Sequence, residues 1–436
     1  MKTHRTAVES IALGLYSAIL RLLTPAVLLR YWWRGRAEPT YRVAIRERFG
    51  SYAGEPMAGM IWVHAVSLGE TRAAQALVDE LRRRDPGMRL LLTHGTATGR
   101  EAGRALLREW DQQSWLPLDT PGAVRRFLAH FQPALGVLME TEVWPNLLNV
   151  ACEMDLPMIL ANARLSERSR RKGQRFGWLL RPALRSMSLV LAQTTDDARR
   201  LSDSGALAVE VTGNLKFDVT PDGALLARGR AWRDSLSRKV VLAASTREGE
   251  EAPLLEAWVT LPQPRPLLLI VPRHPQRFDE VAQRVVDTGL RMARRSDWAE
   301  GPPLEANAAD VWIGDTMGEM ALYFAASHVA LLGGSFAPLG GQNLIEAAAC
   351  ACPVVMGPHT FNFADAAERA SSAGAAIRVG DLTEGVTRAT ALVHDLEQRE
   401  WSERANAFAS AHRGAARRMS DSIATLALRV VAAPRE

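Results

Sequence analysis

A chain of 436 residues, 47% apolar and 23% charged, is long enough for two ordinary domains and has the balance of a folded globular protein, which excludes disorder on any large scale. Three cysteines, Cys152, Cys350 and Cys352, exclude a disulfide framework, and Cys350-Ala-Cys352 lacks zinc spacing and a second ligand pair, so buried thiols are expected. The net charge of +5 is uneven, with arginines crowded at Arg21–Arg48 and Arg164–Arg175; no zinc-finger, RNA-recognition or helix-turn-helix signature accompanies them, so they suit anionic lipid better than nucleic acid.

The first element is apolar from Val8 to Leu29, interrupted by Glu9, Arg21 and Pro25, and closes in Tyr31-Trp32-Trp33-Arg34-Gly35-Arg36. Aromatic rings followed by cations suit headgroup depth and lipid phosphate. Arg21 fits a helix lying on a membrane better than one crossing it, and no signal-peptide cleavage site stands out. A membrane-anchor segment is expected over 1–36, with the rest of the chain on the cytoplasmic side. An ordinary buried first helix is the plain alternative.

From Met60 onward the pattern is a short apolar run, a Gly/Ser/Thr-rich turn and a helical stretch. The runs are Ile61–Val66, Arg89–Thr93, Ala134–Met139, Met158–Ala161, Val190–Gln193 and Val209–Thr212, then Val240–Ala244, Leu267–Val271, Val311–Ile313, Val329–Leu332 and Pro353–Met356. Continuous apolar strands alternating with helices predict parallel sheets covered on both faces. The turn-rich Thr220-Pro221-Asp222-Gly223 marks a linker, with the halves meeting near 218–238. The expected fold is α/β, two Rossmann-like domains (37–220 and 221–436) facing across a cleft, with the last helix free to pack back on the first domain. Glycosyltransferases of the GT-B type share that architecture with some epimerases and phosphorylases.

Nearly every unusual polar motif follows one of these runs, at the strand ends where open α/β sheets bind ligands. Ser67-Leu68-Gly69-Glu70 opens a helix; Glu70 is placed either as an ionised general base or, with Ser67, as a helix cap. Thr96 follows the second run on the same edge. Glu140 and Glu142 flank Thr141, and acids there are costly without partners, so one is expected to orient an acceptor sugar while the other pairs with an arginine such as Arg164. No His or Asp at matching spacing supports a metal. Lys216 is placed to neutralise a leaving phosphate, or as a surface lysine beside the linker.

In the second half, Gly333-Gly334-Ser335 and Gly340-Gly341-Gln342-Asn343 bracket a loop that opens a helix at Leu344 and Ile345. Bare N–H groups there are expected to cradle phosphate, with Glu346 on a ribose. The spacing is not that of a dinucleotide fingerprint, which disfavours a nicotinamide enzyme. Arg273 and His274, in a stiff cationic loop, are expected on phosphate or base.

In this order and spacing, Ile61-Trp62-Val63-His64 through Glu70, Met139-Glu140-Thr141-Glu142-Val143-Trp144-Pro145-Asn146, Ala161–Ser166, Thr212–Asp218, Pro272-Arg273-His274-Pro275, Asp315-Thr316-Met317-Gly318-Glu319, Gly333-Gly334-Ser335 and Gly357–Phe363 resemble the family of 3-deoxy-D-manno-octulosonic acid (Kdo) transferases, over nearly the whole chain. The resemblance implies inverting transfer of Kdo from CMP-Kdo to a tetra-acylated lipid A precursor, without metal or cofactor, at the cytoplasmic face of the inner membrane. It implies Glu70 as general base, Glu140 and Lys216 supporting the transition state, and CMP against Arg273, His274, Met317, Gly318, Glu319, Asn343 and Glu346. The chain departs from the family pattern at His94, and at Gln342, Ile345 and Ala347 around Asn343. A nucleotide-sugar epimerase would need neither the anchor nor the basic patches. A non-catalytic lipid-binding relative would not need Glu70, Glu140 and Lys216.

Overall fold

Apolar runs of four to seven residues, buried on both faces, pair side by side rather than alternate in and out of water, and they build two parallel sheets. The computed structural model describes residues 5–54, 57–218, 220–395 and 398–432; residues 1–4 of the expected anchor, Val219 in the expected linker and 433–436 at the end of the expected second domain lie outside them. The chain divides into two compact units, Met1–Asp218 with Gly414–Glu436, and Val219–Arg413.

In the first unit β1 (Ile61–His64), β2 (Leu90–His94), β3 (Gln112–Trp115), β4 (Leu135–Met139), β5 (Met158–Ala163), β6 (Leu189–Ala192) and β7 (Val209–Val211) lie in the order β3-β2-β1-β4-β5-β6-β7. Every neighbouring pair is parallel, with Ile61 beside Leu90 on one side and Leu135 on the other. The order reverses between β1 and β4, which makes that crevice the topological switch point. Trp62, Leu91, Phe127, Leu138 and Leu160 fill one face of the sheet, while Val63, Leu77, Leu92, Val137 and Ile159 fill the other. Each such fully buried side chain contributes about 1.5–3 kcal/mol. The chain returns at the end, where Ala415, Met419 and Ile423 of the helix Ala415–Ala432 join the second of these clusters.

The second unit holds β8 (Val240–Thr246), β9 (Leu267–Pro272), β10 (Met292–Arg294), β11 (Val311–Ile313), β12 (Val329–Leu332), β13 (Val354–Met356) and β14 (Ala376–Arg378), in the order β10-β11-β9-β8-β12-β13-β14. Its switch point lies between β8 and β12. Three strands that no apolar run announced, β3, β10 and β14, are all edge strands with polar residues at half-exposed or exposed positions.

The first helix runs Ala7–Arg34, through Pro25 and the aromatic-arginine segment, from a capping box of Thr6 and Glu9. It is long and apolar enough to cross a membrane. Its docked face is held by polar bonds: the Ser17 hydroxyl donates to Asn146 Oδ1 at 2.8 Å, Tyr16 to Asp119 at 2.9 Å, and Arg185 pairs with Glu9 at 3.2 Å. Its apolar residues point outward instead, with Ile11 72% and Leu22 80% exposed. Although Ala12, Leu13, Leu20, Val27 and Leu28 face the domain, this leaves a stripe of large apolar side chains uncovered. Arg48, counted by sequence among the surface cations, is buried between the rings of Tyr31 and Trp115.

Candidate active site

At the first switch point, the chain leaving β1 turns at Val66-Ser67 into the helix Leu68–Arg84. Ser67 caps that helix, its hydroxyl accepting from the Glu70 N–H at 3.4 Å and donating to Glu70 Oε1 at 3.1 Å. The Val66 N–H donates to Glu70 Oε2 at 2.8 Å. Glu70 is thus both a cap and an oriented carboxylate on the strand edge. Burial is the largest influence on it and lifts its pKa above the ordinary carboxylate value; the Val66 N–H, the Ser67 hydroxyl and Lys216 oppose the rise, while Glu140 adds to it. The helix dipole argues the other sign, but a dipole effect of about 1 kcal/mol yields to desolvation and a like charge.

Glu140 follows β4 directly, in left-handed backbone at φ 58°, a conformation non-glycine residues hold at a cost of about 1 kcal/mol and one that collects at functional sites. Its Oε1 lies 4.0 Å from Lys216 Nζ. Lys216 sits in a short turn, Leu215–Phe217, set by two asparagines: Asn162 Oδ1 accepts from the Leu215 N–H and Asn214 Oδ1 from the Lys216 N–H. Glu142 accepts from Trp144 Nε1 at 2.7 Å; burial, then the charge of Glu70, pushes its pKa up to about 7. The buried imidazole of His64 lies 4.0 Å away, and desolvation takes its pKa down to about 3, so that contact is not ionic. A cavity of about 770 Å³ opens beside Glu140, lined by Val143, Leu160, Leu165, Trp178 and Leu184, with Arg164 among its polar residues.

On the second sheet, the loops after β8, β9, β11 and β12 share one edge. Arg273 and His274 leave β9 exposed, and the Arg273 N–H donates to Thr246 O at 3.0 Å. Met317 is exposed and Gly318 turns at φ 80°. Glu319 is gripped by Arg228, by Arg295 at 3.0 Å and by the Thr316 hydroxyl; burial would lift its pKa, but those partners hold it below the ordinary value. Asn343 caps the six-residue helix Leu344–Ala349, its Oδ1 accepting from the Ile345 N–H at 3.1 Å. Among the described residues no three His, Cys, Asp or Glu side chains group as a metal site.

Residues 43–219 match the family model described as 3-deoxy-D-manno-octulosonic-acid transferase. A curated 3-deoxy-D-manno-octulosonic acid transferase from Bordetella pertussis is 49% identical over 94% of this chain and 98% of its own length. The chain belongs to the Kdo transferase family. It is therefore a glycosyltransferase. A solved C-terminal CMP-Kdo binding domain of WaaA from Acinetobacter baumannii is 30% identical, with 43% of this chain and 98% of that one covered and a TM-score of 0.40. UDP-GlcNAc 2-epimerase from Neisseria meningitidis, at 16% identity with 85% and 100% covered and a TM-score of 0.55, shares the fold alone.

Against this geometry, several sequence expectations for the Kdo transferase change. Arg164 pairs with neither glutamate: it leaves the end of β5 exposed, only its backbone N–H reaches Glu140 O, at 3.3 Å, and Lys216 is the cation beside Glu140. The Gly334 N–H does not face an incoming phosphate, because it donates to buried Glu250 at 2.8 Å. Ser335 is fully buried, its hydroxyl donating to Leu332 O and accepting from the Gly357 N–H. Leu344 and Ile345 are buried too, so only their backbone is open to a ligand, and the Ile345 N–H already has an acceptor. Thr96 caps the helix Ala97–Gly103 and donates to Val66 O at 2.9 Å, which fixes the loop carrying Ser67 and Gly69 rather than reaching outward. His94, the departure from the family pattern, braces the same loop through Ala65 O at 2.9 Å, and burial draws its pKa down to about 4.

Two features escaped the sequence reading. Asn162, buried and at φ 52°, holds the Lys216 turn. The Ser245-Thr246-Arg247-Glu248-Gly249-Glu250 stretch directly follows the Val240–Ala244 run, at the kind of strand end where the other polar motifs lie.

Proposed function

We propose that this Kdo transferase moves Kdo from CMP-Kdo to a hydroxyl of a lipid A precursor, the tetra-acylated lipid IVA, with inversion at the anomeric carbon and Glu70 as general base. Glu70 takes the acceptor proton as the hydroxyl oxygen bonds to the anomeric carbon. The bond from that carbon to the CMP phosphate oxygen breaks, and CMP leaves with the electron pair. The observation that carries this reading is Glu70 itself: a carboxylate at the first switch point, oriented by Val66 and Ser67, with its pKa moved up by burial toward the range where a base works best.

Glu140 and Lys216 support the transition state as a carboxylate–cation pair beside that base. CMP lies against Arg273, His274, Met317, Gly318, Glu319, Asn343 and Glu346, with the backbone of Leu344 and Ile345. The cavity beside Glu140, with apolar and cationic side chains in its lining, and the outward stripe of the first helix favour an acylated acceptor met at the cytoplasmic face of the inner membrane, within lipopolysaccharide core assembly. The test is incubation of the purified protein with CMP-Kdo and lipid IVA in detergent, with products weighed by mass spectrometry. Increments of Kdo on the lipid are expected; none, with folded protein and intact donor, would sink the reading.

A further inference from the structure

We propose that Arg247 is a phosphate-binding residue at the second switch point, gripping the phosphate that joins cytidine to Kdo in the donor. The assignment rests on the donor reading above and adds a residue to it.

Two sets of backbone N–H groups on this edge have the placement to hold an anion, and both already have internal acceptors. The N–H groups of Gly334, Phe336 and Ala337 all point at the carboxylate of Glu250, at 2.8, 3.2 and 3.3 Å, and the Arg247 N–H completes the set at 2.9 Å. Glu250 is 3% exposed, so the fold supplies its own anion where a Gly-rich loop would otherwise receive one. The Ile345 N–H is capped by Asn343, and its helix is only six residues long. With these N–H groups engaged, side chains have a larger part in meeting an arriving phosphate.

Most cations of this edge are also engaged. Arg277 pairs with Glu251 and Glu280, Arg228 and Arg295 with Glu319, and Arg294 with Asp315 and Asp279. The guanidinium of Arg247 has no hydrogen bond or ion pair among the described residues and is part-exposed. Its stem crosses Gly334, with Cγ 3.6 Å from where a Cβ there would stand, so it lies on a floor of glycine backbone. Gly333 is needed for that floor: a Cβ on it would come within 2.3 Å of Ser245 O.

Beside Arg247, Thr246 is buried with a hydroxyl that has no partner, at the point where Ser245, at φ 56°, breaks the β8 register. An unpartnered buried hydroxyl is costly unless a ligand completes it. Arg273, whose N–H donates to Thr246 O, brings a second guanidinium to the same step. A planar fork over bare backbone is the geometry that takes phosphate bidentately.

The test is calorimetric titration of the full-length protein in detergent with CMP and with cytidine. Wild type is expected to bind CMP more tightly than cytidine. Arg247→Ala should weaken CMP by about tenfold or more while cytidine stays within about twofold, and Arg247→Lys should recover part of the loss. Unchanged CMP affinity in Arg247→Ala overturns the assignment, and so does a parallel loss of cytidine binding, which would mark a structural role. A wild type that transfers Kdo in the mass assay yet binds CMP no better than cytidine overturns Arg247 alone. No transfer and no binding of either compound overturns the donor reading with it.

Discussion

The C-terminal edges of the two sheets occupy equivalent places in similar folds, yet they treat charge in opposite ways. On the first, Glu70, Glu140 and Glu142 gather around one switch point with Lys216, and burial lifts the pKa values of Glu70 and Glu142. On the second, the acids turn inward. Glu250 is filled by four backbone N–H groups, while Asp315 and Glu319 resist the upward pull of burial because Ser296, Arg294, Thr316 and Arg295 hold their charged forms. Arginines are left over there instead. A desolvated acid beside other acids has its pKa raised, and a fully donated acid keeps its charge and becomes scaffold. On the proposed reading, one topology yields an edge for moving protons and an edge for holding anions.

The contrast can be broken at its scaffold, and there the effect should be largest. Glu250→Ala leaves four N–H groups of a buried loop without an acceptor, so about 3 kcal/mol of local stability should go. Hydrogen exchange across residues 329–343 reads this, and exchange in the first unit should not move. Next comes the cation of the first edge. Lys216→Met should lower the transfer rate by about 10- to 100-fold. Because Lys216 opposes the rise in the pKa of Glu70, its loss raises that pKa further, so the acidic limb of the pH–rate profile should move to higher pH. A profile that only drops, with no shift, would separate Lys216 from the base.

The smallest effect should come from Glu142. Its folded pKa of about 7 exceeds the ordinary 4.5, so the folded state binds more protons across that window. Stability from this group is therefore full below pH 4.5 and is lost as pH rises through 7. Glu142→Gln should flatten this part of the slope, gaining on the order of 1 kcal/mol at pH 8 relative to wild type and nothing at pH 4. Denaturant midpoints at the two pH values measure it.

What could be read without coordinates followed burial. β4 and β9 are apolar throughout, and β5 and β8 are so until Asn162 and Ser245 near their ends, because both faces are covered, and their runs stand out in the sequence. β3, with Gln112-Gln113-Ser114, lies at an edge with one side uncovered and carries no such signal. The strand-end positions of Glu70, Glu140 and Lys216 were legible because each follows a readable run. The fate of hydrogen-bond donors was not. Gly334 meets Glu250 across 84 residues, and no spacing rule links them. Arg164 looked like a partner for the glutamates from charge alone, but the direction in which β5 ends sends it elsewhere.

The division of labour stands or falls on Glu70→Gln. Single-turnover transfer at saturating CMP-Kdo and lipid IVA, with CMP affinity measured on the same sample, asks whether the first edge moves the proton and the second holds the nucleotide. Transfer should fall by about 10²- to 10⁴-fold while CMP affinity stays within about twofold of wild type. Near-normal transfer by Glu70→Gln would contradict it, and so would a CMP affinity that falls in step with the rate.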